Sequence, residues 1–85
     1  MSDLKQDFEA AVAASKALTN RPDNNTLLKL YALFKQATSG DVSGNAPGGF
    51  DFIGRAKYDA WTGLKGLSSD DAMRQYVDLV KTLGA

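Results

Sequence analysis

Leu28, Tyr31 and Lys35 stand at i, i+3 and i+7 in the stretch LLKLYALFK. On a helix this spacing brings a hydrophobe, a ring and a cation to one flank. The chemistry open to such a flank is recognition rather than bond-making. A phenol ring stacks on a flat heteroaromatic group, an ammonium holds phosphate as a point charge, and a leucine takes an apolar tail. The same residues also have a plainer reading, a lysine that snorkels beside a half-buried tyrosine. Lys16, Lys57 and Tyr76 share that ambiguity, because a surface lysine is commonly just solvated and a tyrosine at helical spacing is commonly core.

Bond-making has little to work with. The chain has no His and no Cys, so the usual general base, the usual zinc ligand, thiolate nucleophiles and disulfides are all absent. Asp70 and Asp71 suit the positive end of a helix better than an acid–base pair. The stretch DVSGNAPGG has too few carboxylates, and no closing Glu, for a calcium loop. It also lacks the Gly-Lys-Ser/Thr ending of a phosphate-cradling loop. These absences make catalysis hard to build and point to a protein that is not an enzyme and holds no metal. Ten basic residues balance ten acidic ones, which speaks against nucleic acid as a partner. Charges interrupt MSDLKQDFEAAVAASKAL every few residues, unlike a secretory leader or a membrane span. The expectation is a cytoplasmic protein with no stable membrane insertion.

Four helices are needed to position these residues. At 85 residues the chain suits one domain, 1–85, burying about 60–65% of its unfolded surface. Helix 1 starts near Ser2 or Asp3, uses Leu4, Phe8, Ala11, Val12 and Leu18 as its apolar positions, and stops at Asn20-Arg21-Pro22. Helix 2 runs from Asp23–Asn25 to about Thr38, with Leu27, Leu30, Tyr31, Leu33, Phe34 and Ala37 on one stripe. Helix 3 follows Asp51 from Phe52 to Leu64, with Ala56, Ala60, Trp61 and Leu64 facing inward. Ser68 and Asp71 are spaced as a capping box for helix 4. Its inner face is Ala72, Met73, Tyr76, Val77, Val80 and Leu83, and Gly84 ends it. Between helices 2 and 3 lies SGDVSGNAPGGF, Ser39 to Phe50, a loop by composition. Extended, it reaches ~40 Å, whereas a sixteen-residue helix spans only about 24 Å. It can therefore cross the molecule. The fold class is all-α, a four-helix bundle with a long loop between helices 2 and 3.

LYALFKQATSGDV, followed by PGGFDFIGRAKYDAWTGLKGLSSDDAMRQYVDLV, resembles the acyl-CoA-binding protein family. The likeness rests on Tyr31 with LFKQAT, Gly40-Asp41, Pro47-Gly48 and Asp51-Phe52. It continues through Gly54, Ala56-Lys57, Asp59-Ala60-Trp61, Leu64-Lys65-Gly66, Ala72-Met73 and Tyr76, and spans Phe8 to about Val80. It implies an up-down-down-up bundle that reversibly binds medium- to long-chain acyl-CoA esters as a pool former, buffer and carrier. Acyl-CoA is then the ligand, not a cofactor. The carrier would be a monomer, with transient contacts to acyl-CoA-using enzymes as its protein partnerships.

The same resemblance assigns Tyr31 to the adenine and Lys35 and Lys57 to the 3′-phosphate region, with Lys16 and Tyr76 near the headgroup. Phe8, Ala11, Val12, Leu27 and Leu28 would line the acyl side, while Asp23 and Asp41 cap or stop helices. There are departures from common family patterns. Ile53 stands for a frequent Lys and adds contact with the acyl chain, Tyr58 stands for a frequent Trp, and Gly49 takes the place of a bulkier residue. VKTLGA is without the usual lysine-rich tail. The alternative function is a small helical protein–protein interaction module that uses the Leu28–Tyr31 flank as its groove.

Overall fold

The computed structural model describes residues 3–84. Its helices are α1 (Leu4–Lys16), α2 (Asn24–Ser39), α3 (Phe52–Thr62) and α4 (Ser69–Thr82), with no strand among the described residues. Each start is a short polar side chain taking a free backbone N–H. Asp3 accepts from Lys5 N–H at 3.0 Å, Asp23 from Thr26 at 2.7 Å, Asp51 from Gly54 at 2.9 Å and Ser68 from Asp71 at 3.1 Å. The expected start at Asp3 is realised; Ser2 lies outside the described residues. Only the Ser68 half of the capping box forms, because the Asp71 carboxylate pairs with Arg74 Nη1 at 2.8 Å.

Two helices end earlier than their apolar pattern suggests. In α1 the Ala17 N–H turns back to Ala14 C=O at 3.0 Å, tightening the last turn well before Pro22. Thr19, Asn20 and the residue preceding proline all disfavour the α conformation, so Leu18 packs half-buried from outside the helix. In α3 the bonds from Leu64 N–H to Trp61 C=O and from Lys65 N–H to Thr62 C=O wind the chain into tight turns that deliver it to Ser68. α2 stops where expected. Gly40, at φ +79° and ψ −151°, occupies backbone space that side-chain-bearing residues avoid.

The helices lie side by side in the order α1, α4, α2, α3. The molecule measures 43 × 29 × 15 Å, so it is a thin slab rather than a square bundle, given helices of about 10–12 Å diameter. α1 and α4 run together, Phe8 and Ser15 both meeting Tyr76. α2 and α3 also run in one direction: Gln36 and Trp61 meet the same terminal turns, and Tyr31 faces Lys57. The twelve-residue loop must therefore carry the chain back along the full length of α2, the crossover that its length permits. Tyr58 of α3 pins it midway, donating its hydroxyl to Gly44 C=O at 3.1 Å. The core is Phe8, Ala11, Leu30, Leu33, Ala37, Ala72, Tyr76 and Val80. A slab buries few residues completely, which leaves helix flanks free to serve as binding surface.

Candidate ligand-binding site

α2 and α3 are tied at their C-terminal ends and stand apart at their N-terminal halves, where a groove of about 640 Å³ opens between them. From α2 come Asn24, Leu27, Leu28 and Tyr31, residues that share one face at helical spacing. From α3 come Phe52, Ile53, Ala56 and Lys57, with Arg21 closing the end beside the start of α2. The floor is apolar and the cations sit at its two ends. At the inner end the Lys57 ammonium lies 5.3 Å from the centroid of the Tyr31 ring, an attraction of charge to aromatic face that keeps cation and ring together.

Lys35 is one turn beyond Tyr31, and its ammonium lies over a different ring, 4.9 Å from the centroid of Trp61. That indole is held in place by its own N–H, which donates to Gly40 C=O at 2.8 Å. Beneath it is a polar knot. Gln36, with no exposed surface, donates through Nε2 to Asp41 at 2.9 Å and to Leu67 C=O at 2.8 Å. Asp41 also receives the Gly66 N–H at 2.8 Å. The Gly66 N–H, then the Gln36 amide, hold the Asp41 carboxyl below its ordinary range. This knot clamps the two helix ends from which Lys35 and Trp61 project.

The remaining candidate residues are distributed more widely. Phe8 and Val12 line a second groove, of about 550 Å³, with Lys5, Glu9, Phe34, Ala37, Thr38 and Met73. There the Phe8 ring stacks on Phe34 at 5.9 Å and meets Tyr76 edge-on at 5.1 Å. Tyr76 is only 4% exposed, with its hydroxyl 3.1 Å from Ser15 Oγ. Ala11 is buried at the α1–α4 seam, and Lys16 is exposed in the last turn of α1. The structure thus gathers Tyr31, Lys57, Leu27, Leu28 and Ile53 in one groove, sets Lys35 beside its inner end, and leaves Phe8, Ala11, Val12, Lys16 and Tyr76 elsewhere. Sequence reasoning missed Arg21, Asn24, Phe52 and Ala56 as walls. Phe52 offered a signal: an aromatic first residue that falls off the inward face of its helix needs another reason to be there.

The sequence pattern of the Acyl CoA binding protein family matches residues 5–80, all four helices but for a few terminal residues. This chain belongs to the acyl-CoA-binding protein family. It is 53% identical over 76 residues to the acyl-CoA-binding protein homolog 1 of Caenorhabditis elegans, covering 89% of this chain and 88% of that protein. It is 46% identical over its whole length to the enoyl-CoA delta isomerase 2 of Rattus norvegicus, but spans only 22% of that longer protein. The crystal structure of Oryza sativa acyl-CoA-binding protein 2 superposes with a TM-score of 0.91 at 40% identity, over 95% of this chain and 90% of that one. Every wall of the α2–α3 groove lies inside the stretch matched by the acyl-CoA-binding protein family. Among the described residues no group of acidic side chains is arranged to hold a metal ion, and no helix is long and apolar enough to cross a membrane.

Proposed function

We propose that this chain binds acyl-CoA esters reversibly, preferring medium to long acyl chains, and works as a buffer and carrier rather than a catalyst. The observation that carries the reading is the groove with an apolar floor and a ring–ammonium pair at its inner end. An acyl-CoA ester is a ligand of matching chemistry, with a flat base, phosphates and a hydrocarbon tail. Tyr31 contacts the adenine, and Lys57 and Lys35 meet the phosphates, while Tyr76, buried against Ser15 in the core, touches no ligand. The tail lies along Leu27, Leu28 and Ile53. Phe8 and Val12 line the separate groove beside α1, which a long tail would have to reach past the end of the first. Each methylene removed from water contributes about 0.8 kcal/mol, so the tail sets chain-length preference while the charges set ligand class. The proposal extends to a monomer in the cytoplasm that passes its ligand to acyl-CoA-using enzymes through brief contacts.

Calorimetry with palmitoyl-CoA, free CoA and palmitate tests this directly. Saturable binding of the ester, with both fragments at least a hundredfold weaker, is the expected outcome. An ester that does not saturate the protein overturns the reading.

A further inference from the structure

Three of the most exposed large apolar side chains sit in one stretch, FDFI, where the crossover loop enters α3. Phe50 is 98% exposed, Phe52 77% and Ile53 72%. Phe52 and Ile53 are accounted for in part as groove wall. Phe50 is not among the walls of the α2–α3 groove and, at that exposure, contributes almost nothing to packing. Its position is also unusual. The Asp51 N–H bonds to Gly48 C=O at 3.0 Å, which makes Phe50 the third residue of a tight turn. Such corners are normally filled by Gly, Asn, Asp or Ser. A phenylalanine held out on a turn forgoes the burial that would otherwise stabilise the fold.

We propose that Phe50, with the outer edges of Phe52 and Ile53, forms a wedge that dips reversibly into the headgroup–acyl boundary of a lipid bilayer. The groove mouth then opens onto the hydrocarbon, and an acyl chain can slide in without crossing water. This rests on the acyl-CoA reading above. Size and shape favour a bilayer over a protein partner. Three side chains at roughly 200 Å² each fall short of the ~800 Å² per partner of a stable protein interface. A projecting corner enters a fluid interface as readily as it resists flat docking. The nearby carboxylates are held by the protein's own donors, Asp23 and Asp51 by helix N–H groups and Asp59 by Arg55. Arg21, at the outer end of the groove, forms no ion pair among the described residues and is free to meet a lipid phosphate.

Phe50→Trp supplies the probe, because the native Trp61 is 8% exposed and serves as an internal control in the unaltered protein. With phosphatidylcholine vesicles containing about one-fifth phosphatidylserine, the new indole should shift to the blue and be quenched by brominated lipid, while Trp61 in the unaltered protein is not. Phe50→Ser should slow transfer of palmitoyl-CoA from vesicles to protein roughly tenfold, leaving affinity for the ester in solution unchanged. An indole that keeps its water-exposed emission at high lipid, or a Phe50→Ser transfer rate equal to that of the unaltered protein, overturns the proposal. So does Phe50-dependent dimerisation without vesicles, which would name a second copy as the occupant. Loss of the acyl-CoA reading would show separately, as failure to bind the ester in solution, since lipid quenching of the indole needs no ester.

Discussion

The two ends of the α2–α3 pair are built from opposite materials. At the closed end the buried Gln36 amide, the Asp41 carboxylate, the Gly66 N–H, two backbone carbonyls and an indole N–H are joined by bonds of 2.8–2.9 Å. Only Gln36 Oε1 is left without a partner among the described buried side chains. At the open end, two helices present leucine, phenylalanine and isoleucine across a gap of about 640 Å³. Polar groups out of water must find partners at fixed distance and angle, which welds the closed end. Apolar groups make no such demand, so the open end can stay apart and wait for a ligand. The difference teaches that a thin domain can expose hydrophobic surface without losing its fold, provided that the clamp lies elsewhere.

That division is breakable. Gln36→Ala should have the largest effect, about 3 kcal/mol of stability in urea unfolding, from lost hydrogen bonds and a cavity that cannot collapse. A loss below about 1 kcal/mol would mean the closed end is not the clamp. Gly40→Ala, which forces a methyl onto the φ +79° backbone, should cost about 2 kcal/mol by the same measurement. At the open end the effects should move from stability to binding. Lys57→Ala should weaken palmitoyl-CoA about tenfold and shift unfolding by less than about 0.5 kcal/mol. Its effect on the 3′-dephospho ester should be smaller; equal weakening of both ligands would show that Lys57 does not read that phosphate.

The smallest effect is in acid. The Asp41 carboxyl is held below 3.8 in the folded protein by the Gly66 and Gln36 donors, so the unfolded chain takes up its proton first as pH falls. The resulting stability is complete above about pH 5, and is lost as pH drops from 3.8 through the folded value. Asp41→Asn should flatten that part of the acid-unfolding curve and leave the region between pH 5 and 8 level. Ligand affinity should be level between pH 6 and 8 as well, since the chain has no His.

Much of the framework was legible in the chain because its causes are local. Asp3, Asp23, Asp51 and Ser68 cap the helices they precede, and the Ser39–Phe50 loop is long enough to run back along α2. The early ends of α1 and α3 were not legible, since apolar spacing continues to Leu18 and Leu64 after the backbone has turned. The candidate site was half legible. The Leu28–Tyr31–Lys35 flank follows from helix geometry alone, and the likeness to the family added Lys57. Phe52 went unread as a wall, because its partner face is a helix some twenty residues earlier in the chain.

By itself, then, the sequence determined where the helices begin, that no histidine or cysteine chemistry is available, and which side chains share the flank of α2. These follow from neighbours a few residues apart, where backbone geometry leaves little choice. Only the tertiary structure decided which cation meets which ring. Lys35 lies over Trp61 and Lys57 over Tyr31, a pairing set by the parallel run of α2 and α3 and by the polar clamp at their far ends. It also decided that FDFI would stand in water, because a slab four helices wide has no second layer to cover it.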